Sequence, residues 1–539
     1  MDRLGESQLT WLDDSRRLSR KDFLKGALAL GVGAALGGGL SACGSSGSQA
    51  TTTTASGGKP VRGGKLTIAY IGGGSSETLN PNAPVADVDD ARTLNLYESM
   101  FRLDAHLNLE YLLAESAEPN ADGSQWTIRL RSGITFHDGS PFGADDVIYT
   151  LKRIADPKTA ANQQALVSSL VDVPSIKKLD NLTVQLPLKT ANVFLPYLFY
   201  DDSFSIVKVG WVDSDPPNGT GPFVFQSWKP GQYSVFKRNP DYWQSGFPYL
   251  DQLQLVSIPD PTARFDALLG GEVDGMESLS YAQATSLRHG GQAVVLEGNG
   301  PNSVPIYMAV DLYPFQDVQM RQAMRLIANR PQLVEEAQEG YGQIGNDIAG
   351  KGLPGYDAAI AQRVQDIDQA KFLIKQAGHE GMKLTLYTST VATGMLESAT
   401  VFATEASKAN ITVNVKELAA DIYFGPVYLK QNFAQSEWFS QPLVTRWSQS
   451  MAPGAEFNET HWSDPQWDAL YAQLIAQPDV GKQQELEHEL QQIEWERGGY
   501  LDWGFYPTLD GLGHAVRGIE PNKGGPLGGG VYSKTWLEA

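Results

Sequence analysis

The chain is poor in cysteine, in clustered histidine, in basic charge and in long apolar runs, and each shortage closes off a class of function. One cysteine, Cys43, stands in 539 residues, so neither an internal disulfide nor a cysteine metal cage is available. The seven histidines are scattered, with no two at i and i+4, which leaves no helical pair to hold a transition metal. Lys and Arg total 42 against 62 Asp and Glu, a formal charge of −20; such a surface repels nucleic acid and anionic lipid. No G-x-S-x-G elbow occurs, and His488-Glu489-Leu490-Gln491-Gln492 misses the zinc pattern H-E-x-x-H at Gln492. Gly340 to Gly345 match G-x-G-x-x-G but follow a helical stretch rather than a strand, so the context for a dinucleotide is missing. Gly345 to Lys351 nearly forms a phosphate loop, yet Gly352 stands where a hydroxyl is required. An enzyme is therefore not expected, an exported hydrolase being the rival reading, and no cofactor or resident metal ion is called for.

The lone cysteine is informative through its position. Arg16, Arg17, Arg20, Lys21 and Lys25 precede a run of small and apolar residues from Ala27 to Leu40, too short and glycine-rich for a stable membrane span. Leu40-Ser41-Ala42-Cys43 closes that run, and Gly44 to Pro60 is almost wholly Gly, Ser, Thr and Ala, a composition that buries too little apolar area to fold. The arrangement resembles the lipobox of bacterial lipoproteins, in which residues 1–42 would be removed and Cys43 would carry the lipid. Two acyl chains suffice for stable anchoring. The resemblance thus implies an extracytoplasmic protein held at a membrane through a flexible tether, residues 43–60, with a span of roughly 20–25 Å. Ser19 to Lys25 also resembles a twin-arginine export motif, with Lys21 in place of the second arginine, so the export route stays open.

Cleavage after Ala42 removes six basic and five acidic residues and leaves a formal charge of −21. About 480 residues then follow the tether, enough for two to four domains. Val61 to Tyr70 alternates, with Leu66, Ile68 and Tyr70 on one side, and reads as an opening strand. Gly72-Gly73-Gly74 ends it, and Leu79-Asn80-Pro81 follows in a polar loop; a strand running into such a loop is where an open α/β sheet presents ligands, which makes Asn80 a candidate contact. Asp90 to Phe101 reads as a helix.

Trp126 to Arg131 alternates strictly, giving one apolar and one basic face, and Gly133 to Gly139 continues as a hairpin ending in an Asp-Gly turn. Asp145 or Asp146 then starts a helix to Ile154. The whole run WTIRLRSGITFHDGSPFGADDV resembles the signature of the large extracytoplasmic proteins that deliver oligopeptides, dipeptides and nickel to ABC importers. Asn218-Gly219-Thr220-Gly221-Pro222-Phe223 and Arg238-Asn239-Pro240-Asp241-Tyr242-Trp243 are similar to further stretches of that family, in the same order. So are Asp260 to Arg264 with Leu268 to Asp274, and Phe315 to Ala323 with Asn329-Arg330. In physical terms Asp260 caps a helix with Pro261 in its first position, and Gly270 and Gly271 stop it. Asp317 caps another, with Val318, Met320, Met324 and Ile327 on one side until Pro331 breaks it. His137 reads as a hairpin residue with satisfied hydrogen bonds rather than a ligand.

The resemblance covers roughly residues 62–515 and implies an α/β, two-lobed periplasmic-binding-protein-like fold of the large type, with an additional domain and a ligand cleft between the lobes. Lobe I would combine residues 61–96, 215–308 and 507–539; the additional domain would span 97–214 and pack on it, and lobe III would span 309–506. The implied partners are a small solute, first of all a peptide or peptide-like compound, and the permease and ATPase subunits of an importer; the protein would act as a monomer without nucleic acid.

Peptide-binding members of the family meet the ligand's free amine with an aspartate shortly after a tryptophan late in lobe III, because an unpaired buried charge is costly. The corresponding region here runs from Phe433 to Trp462. Trp438 and Trp447 both qualify as that tryptophan, and the two registers place Gln441 or Ser450 where the acid belongs. Trp438, Gln441, Arg446, Trp447 and Gln449 are therefore the expected ligand contacts, and they point to a neutral or anionic solute held by hydrogen bonds and stacking, such as an opine-like or sugar-like compound. Backbone hydrogen bonding along a peptide would still work without the acid, and a metal complex remains an alternative cargo.

Overall fold

The computed structural model describes residues 58–538 apart from 420–422, 424 and 426. Cys43, the export segment and most of the tether lie outside the described residues. The opening strand runs over Lys65–Tyr70, and Leu66, Ile68 and Tyr70 are all buried. It is central to an eight-stranded sheet, pairing parallel with Gln252–Ser257 on one side and Gly275–Met276 on the other. Antiparallel strands Tyr233–Arg238 and Phe223–Lys229 extend one edge; Gly504–Leu512 and Val294–Ser303 extend the other. The short eighth strand, Gln343–Ile344, pairs with Gly504–Leu512, so four segments far apart in sequence share one sheet.

A five-stranded sheet holds Thr412–Leu418, Lys383–Ser389, Phe433–Gln435, Ile306–Met308 and Tyr500–Leu501 in that order. The chain passes by short direct links between the two large sheets at 303–306 and at 501–504, and these crossings lie side by side: Ser303 pairs with Phe505 in one sheet and Tyr307 with Tyr500 in the other. The Trp503 indole donates to the Val304 carbonyl across them, at 3.0 Å. Two adjacent backbone crossings between packed bodies form a natural hinge, since few dihedrals need change there.

A four-stranded antiparallel sheet, Ala114–Pro119, Gln125–Leu130, Thr183–Pro187 and Lys177–Asp180, forms the third layer. Trp126, Ile128 and Leu130 bury one face of its second strand, as their alternation requires. Its core is continuous with that of the five-stranded sheet, and Val193 N–H donates to the Ile475 carbonyl at 2.8 Å. The segment therefore leans on the body of the five-stranded sheet.

Local signals fixed most helix starts. Ala263 N–H donates to Asp260 Oδ1 at 2.7 Å to open helix Pro261–Leu269, and Gln319 N–H donates to Asp317 Oδ1 at 2.8 Å to open Val318–Ile327. Other readings need correction. The helix expected over Asp90–Phe101 spans Asp87–Leu96, because the Asp89 carboxylate accepts from Val85 and Ala86 N–H and starts it early, while Phe101 enters a short strand. The run from Gly133 to Gly139 turns at Asp138-Gly139, with Gly139 at φ +81°, but is pinned by a single bridge between Thr135 and Pro141 rather than a hairpin ladder. Met320, Met324 and Ile327 are buried, whereas Val318 is 36% exposed. Pro331 does not break that helix; it sits in the first turn of the next, Arg330–Ala337, after Ala328 has already turned extended.

Candidate functional site

The motif residues converge, but away from any large cavity. Gly219 and Gly221 pass so close to the end of helix Asp87–Leu96 that a Cβ on either would collide with the Leu96 backbone. This approach lets Thr220 donate to Glu98 Oε2 at 2.8 Å, while Tyr242 reaches Oε1 at 2.7 Å and the Trp243 indole reaches Oε2 at 2.8 Å. Burial pushes the Glu98 carboxyl above its ordinary range, and these three donors pull it back. His137 belongs to the same joint: its N–H donates to the Gly219 carbonyl at 2.9 Å, and its Nε2 pairs with the Gly221 carbonyl at 3.0 Å. Its Nδ1 is buried without a hydrogen-bond partner, so the expected full satisfaction is only half met, and burial lowers its pKa.

A cleft of about 780 Å³ opens between the eight-stranded sheet, the segment 102–110 with 200–202, and the stretch that follows the middle strand of the five-stranded sheet. That volume suits a small solute or short peptide. One wall is the extended stretch Glu437–Ser440, held because Trp438 exchanges two backbone hydrogen bonds of 2.8 Å with Ser303. Glu437 and Phe439 line the cleft. The Tyr506 hydroxyl donates to Glu437 Oε1 at 2.9 Å, and Ser440 N–H donates to Asn302 Oδ1 at 2.8 Å. Ser440 also lines the cleft although it is 6% exposed, and its hydroxyl has no hydrogen-bond partner.

Trp438 itself is only 1% exposed and lies behind this wall. Its indole donates to Glu459 Oε1 at 2.8 Å, and the Arg446 guanidinium stacks 3.3 Å from the ring centroid and 4.7 Å from that of Tyr500. Burial pushes the nearby Asp502 carboxyl up to about 7, against the pull of Arg446. Gln441 is buried with neither amide atom bonded. Trp447 is fully buried and meets Trp467 edge to face at 6.1 Å. Gln449 is half-buried, on helix Leu443–Ser450. Asn80 is half-buried, and its side-chain oxygen accepts from Asn82 N–H at 3.0 Å and from Arg153 at 3.4 Å.

Trp438, Gln441 and Arg446 thus come together as a layer beneath the cleft wall, Trp447 and Gln449 follow on the helix behind it, and Asn80 lies elsewhere. None of the six lines the cleft. The residues that do were missed, although one signal was present: in an extended segment alternate side chains face opposite ways, so a buried Trp438 sends Glu437 and Phe439 to the other side. Among the described residues no group of three or more His, Cys, Asp or Glu is placed to hold a metal ion, and no helix is long and apolar enough to cross a membrane.

Residues 108–469 match the profile of the bacterial extracellular solute-binding proteins, family 5. The chain belongs to this family. It is 27% identical over 454 residues to the glutathione-binding protein GsiB of Escherichia coli K12, covering 80% of this chain and 87% of that one. Two solved structures share the fold. The binding protein AgaA from A. tumefaciens R10, in complex with agropinic acid, superposes with a TM-score of 0.73 at 23% identity, over 88% of this chain and 99% of that one. DppA from Helicobacter pylori, in complex with the peptide STSA, superposes with a TM-score of 0.74 at 21% identity, over 89% and 99%. The two-lobed α/β architecture implied by the motifs is therefore the architecture present, and the family is one of binding proteins that act outside the cytoplasm.

Proposed function

We infer that the protein captures a peptide or peptide-like solute in the cleft and delivers it to a membrane permease powered by ATPase subunits, without chemical conversion. The cleft carries this reading: about 780 Å³ lined from the eight-stranded sheet, from Glu339, Thr393 and Glu437–Ser440 in the body of the five-stranded sheet, and from the added segment, so that one solute touches every body the hinge connects. Closure around a ligand is a population shift, and only a ligand contacting both sides favours the closed state. Trp438 and Arg446 act in this scheme by stiffening the wall, and Cys43 by tethering a monomeric protein to the membrane through lipid.

Thermal denaturation of the purified protein against a peptide library, opines, sugars and Ni²⁺ tests the assignment. A bound solute raises Tm through linkage, and a peptide hit is expected. A hit confined to opines, sugars or nickel would move the solute class, and no hit in any panel would overturn solute capture. Cys43→Ser is expected to abolish incorporation of radiolabelled palmitate and release the protein from membranes; continued labelling would remove Cys43 from that role.

A further inference from the structure

We propose that residues 338–347 form a strap reaching from the body of the five-stranded sheet onto that of the eight-stranded sheet, and that Tyr341 on it latches the two bodies in the arrangement seen here. This goes beyond solute capture, since only the bodies are concerned and no solute is needed to measure them. Both ends of the strap are fixed in the body of the five-stranded sheet. Helix Arg330–Ala337 precedes it, packed on helix Met395–Lys408, with Leu333 and Ala337 buried in the core. Asp347 follows it, with Arg330 on one carboxylate oxygen at 2.5 Å and Arg363 on the other at 2.7 Å. The middle of the strap belongs to the other body. Gln343 and Ile344 pair with Phe505 and Gly504, and the Tyr341 ring packs on the separate core beneath helix Tyr281–Gly290.

The glycines whose spacing matches G-x-G-x-x-G are what this path requires. Gly340 adopts φ +74°, and a Cβ on Gly342 or Gly345 would collide with the backbone of the second crossing, at Phe505 or at Asp502. Gly345 N–H instead donates to the Trp503 carbonyl at 2.9 Å, and Asp347 N–H to that of Asp502 at 3.0 Å. The return leg of the strap therefore lies flush with the hinge, while the outgoing leg carries a side-chain grip. The Tyr341 ring stacks on Tyr281 with centroids 5.1 Å apart and planes within 14°. Its hydroxyl shares a 2.8 Å hydrogen bond with that of Thr285, and the Arg288 guanidinium sits 4.8 Å from its centroid. Stacking, a cation over the ring and a hydroxyl bond add up in one attachment. Only residues 338–340 separate Ala337 from Tyr341. A rotation that carries helix Arg330–Ala337 away from helix Tyr281–Gly290 must therefore pull the ring from its pocket, which breaks all three contacts together. Tyr281 and Glu339 line the cleft, so the latch stands at its edge, and the strength of the grip sets how much of the population has the bodies spread apart.

Spin labels read the latch directly. Ser286→Cys and Thr404→Cys place them on exposed residues of the two bodies, outside the cleft, in a Cys43→Ser background that holds no other cysteine. Without solute, pulsed electron paramagnetic resonance on this parent is expected to give one narrow distance distribution. Tyr341→Phe and Thr285→Val remove the same hydroxyl bond from opposite bodies. Each is expected to add a longer-distance population and to raise the released-to-latched ratio about fivefold, the weight of one net hydrogen bond. The two together are expected to raise it no further than either alone, because both delete one contact. Tyr341→Ala also removes the stack and the cation contact and is expected to raise the ratio at least about thirtyfold. Should Tyr341→Ala fail to fold, the two hydroxyl variants decide. A parent that already shows a broad distribution, or folded variants that keep the parental one, would overturn the latch, and fully additive effects of Tyr341→Phe and Thr285→Val would remove the shared bond from it. Solute capture is decided separately, by the ligand panel.

Discussion

The joint around Glu98 and the wall around Trp438 are built from similar materials, each a buried carboxylate receiving an indole N–H, and they differ in what they are for. At the joint, Thr220, Tyr242 and Trp243 all donate to Glu98, and the glycines beside Thr220 admit the backbone of Leu96. At the wall, Trp438 and Ser436 donate to Glu459, and Arg446 covers the ring. The joint knits helix Asp87–Leu96 to the first sheet and to the turn at His137, and it lies outside the large cleft. The wall presents Glu437, Phe439 and Ser440 to that cleft. Recognisable motifs therefore mark where bodies are fastened, and unremarkable sequence lines the cleft in which we propose that a solute binds.

Two substitutions break this comparison most directly. Trp438→Ala is expected to cost about 3–5 kcal/mol of stability, as removal of a buried aromatic does, and to weaken solute binding because Glu437 and Phe439 lose their support. Denaturant melts with calorimetry on the folded variant measure both; retained stability would place the ring outside the core. Glu98→Ala leaves the buried Thr220 and Tyr242 hydroxyls and the half-buried Trp243 indole without an acceptor, at about 1 kcal/mol or more for each buried donor, so a loss of about 2–3 kcal/mol is expected with affinity unchanged within about twofold. An affinity loss equal to that of Trp438→Ala would erase the distinction between joint and wall. Gly219→Ala is milder, about 1–3 kcal/mol by overpacking, since the Leu96 carbonyl must retreat from the new methyl; a fully stable variant would show that the close approach is not required.

The fold was legible in the sequence because its signals are local. Period-two alternation in Leu66, Ile68 and Tyr70 and the caps Asp260 and Asp317 require only neighbours along the chain, and all appear in their expected roles. The cleft was not legible because it is assembled from residues more than 400 positions apart: Asp87 and Asp510 line it together only after the chain has left the eight-stranded sheet and returned. Trp438 is the residue expected to meet a ligand, and it lies beneath the wall rather than on it; the bridge to Ser303 turns Glu437 and Phe439 toward the cleft, and that pairing is not visible in the sequence. Val318 failed for a related reason. Its position at the start of a helix leaves one flank without a neighbour, so periodicity alone overstated its burial.

Glu487, Glu494 and Asp502 also differ from Glu98 in how they respond to pH, and this sharpens the comparison with the smallest effect. Burial pushes Glu487 up to about 7, Glu494 to about 8 and Asp502 to about 7. Glu487 and Glu494 lie on helix Val480–Arg497, and Asp502 lies at the second hinge crossing. In the unfolded chain these groups release their protons near pH 4. Between that pH and about 8 the folded state therefore holds protons that the unfolded state has lost, and stability falls as pH rises. The stabilising contribution is complete below the unfolded pKa and disappears as each folded pKa is passed. Tm is thus expected to decline steadily from about pH 5 to 8.5, opposite to the usual acid-labile profile. Glu487→Gln keeps the shape and removes the proton, so it is expected to recover about 1–2 kcal/mol at pH 8 while changing little at pH 5. Glu98 is raised in the same direction but is held by three donors that favour its charged form, so Glu98→Gln is expected to flatten the profile less than Glu487→Gln. A Glu98→Gln effect larger than that of Glu487→Gln would show that the joint holds more of the proton-linked stability than Glu487 does, and a profile that rises with pH would show that neither carboxyl holds its proton in the folded state.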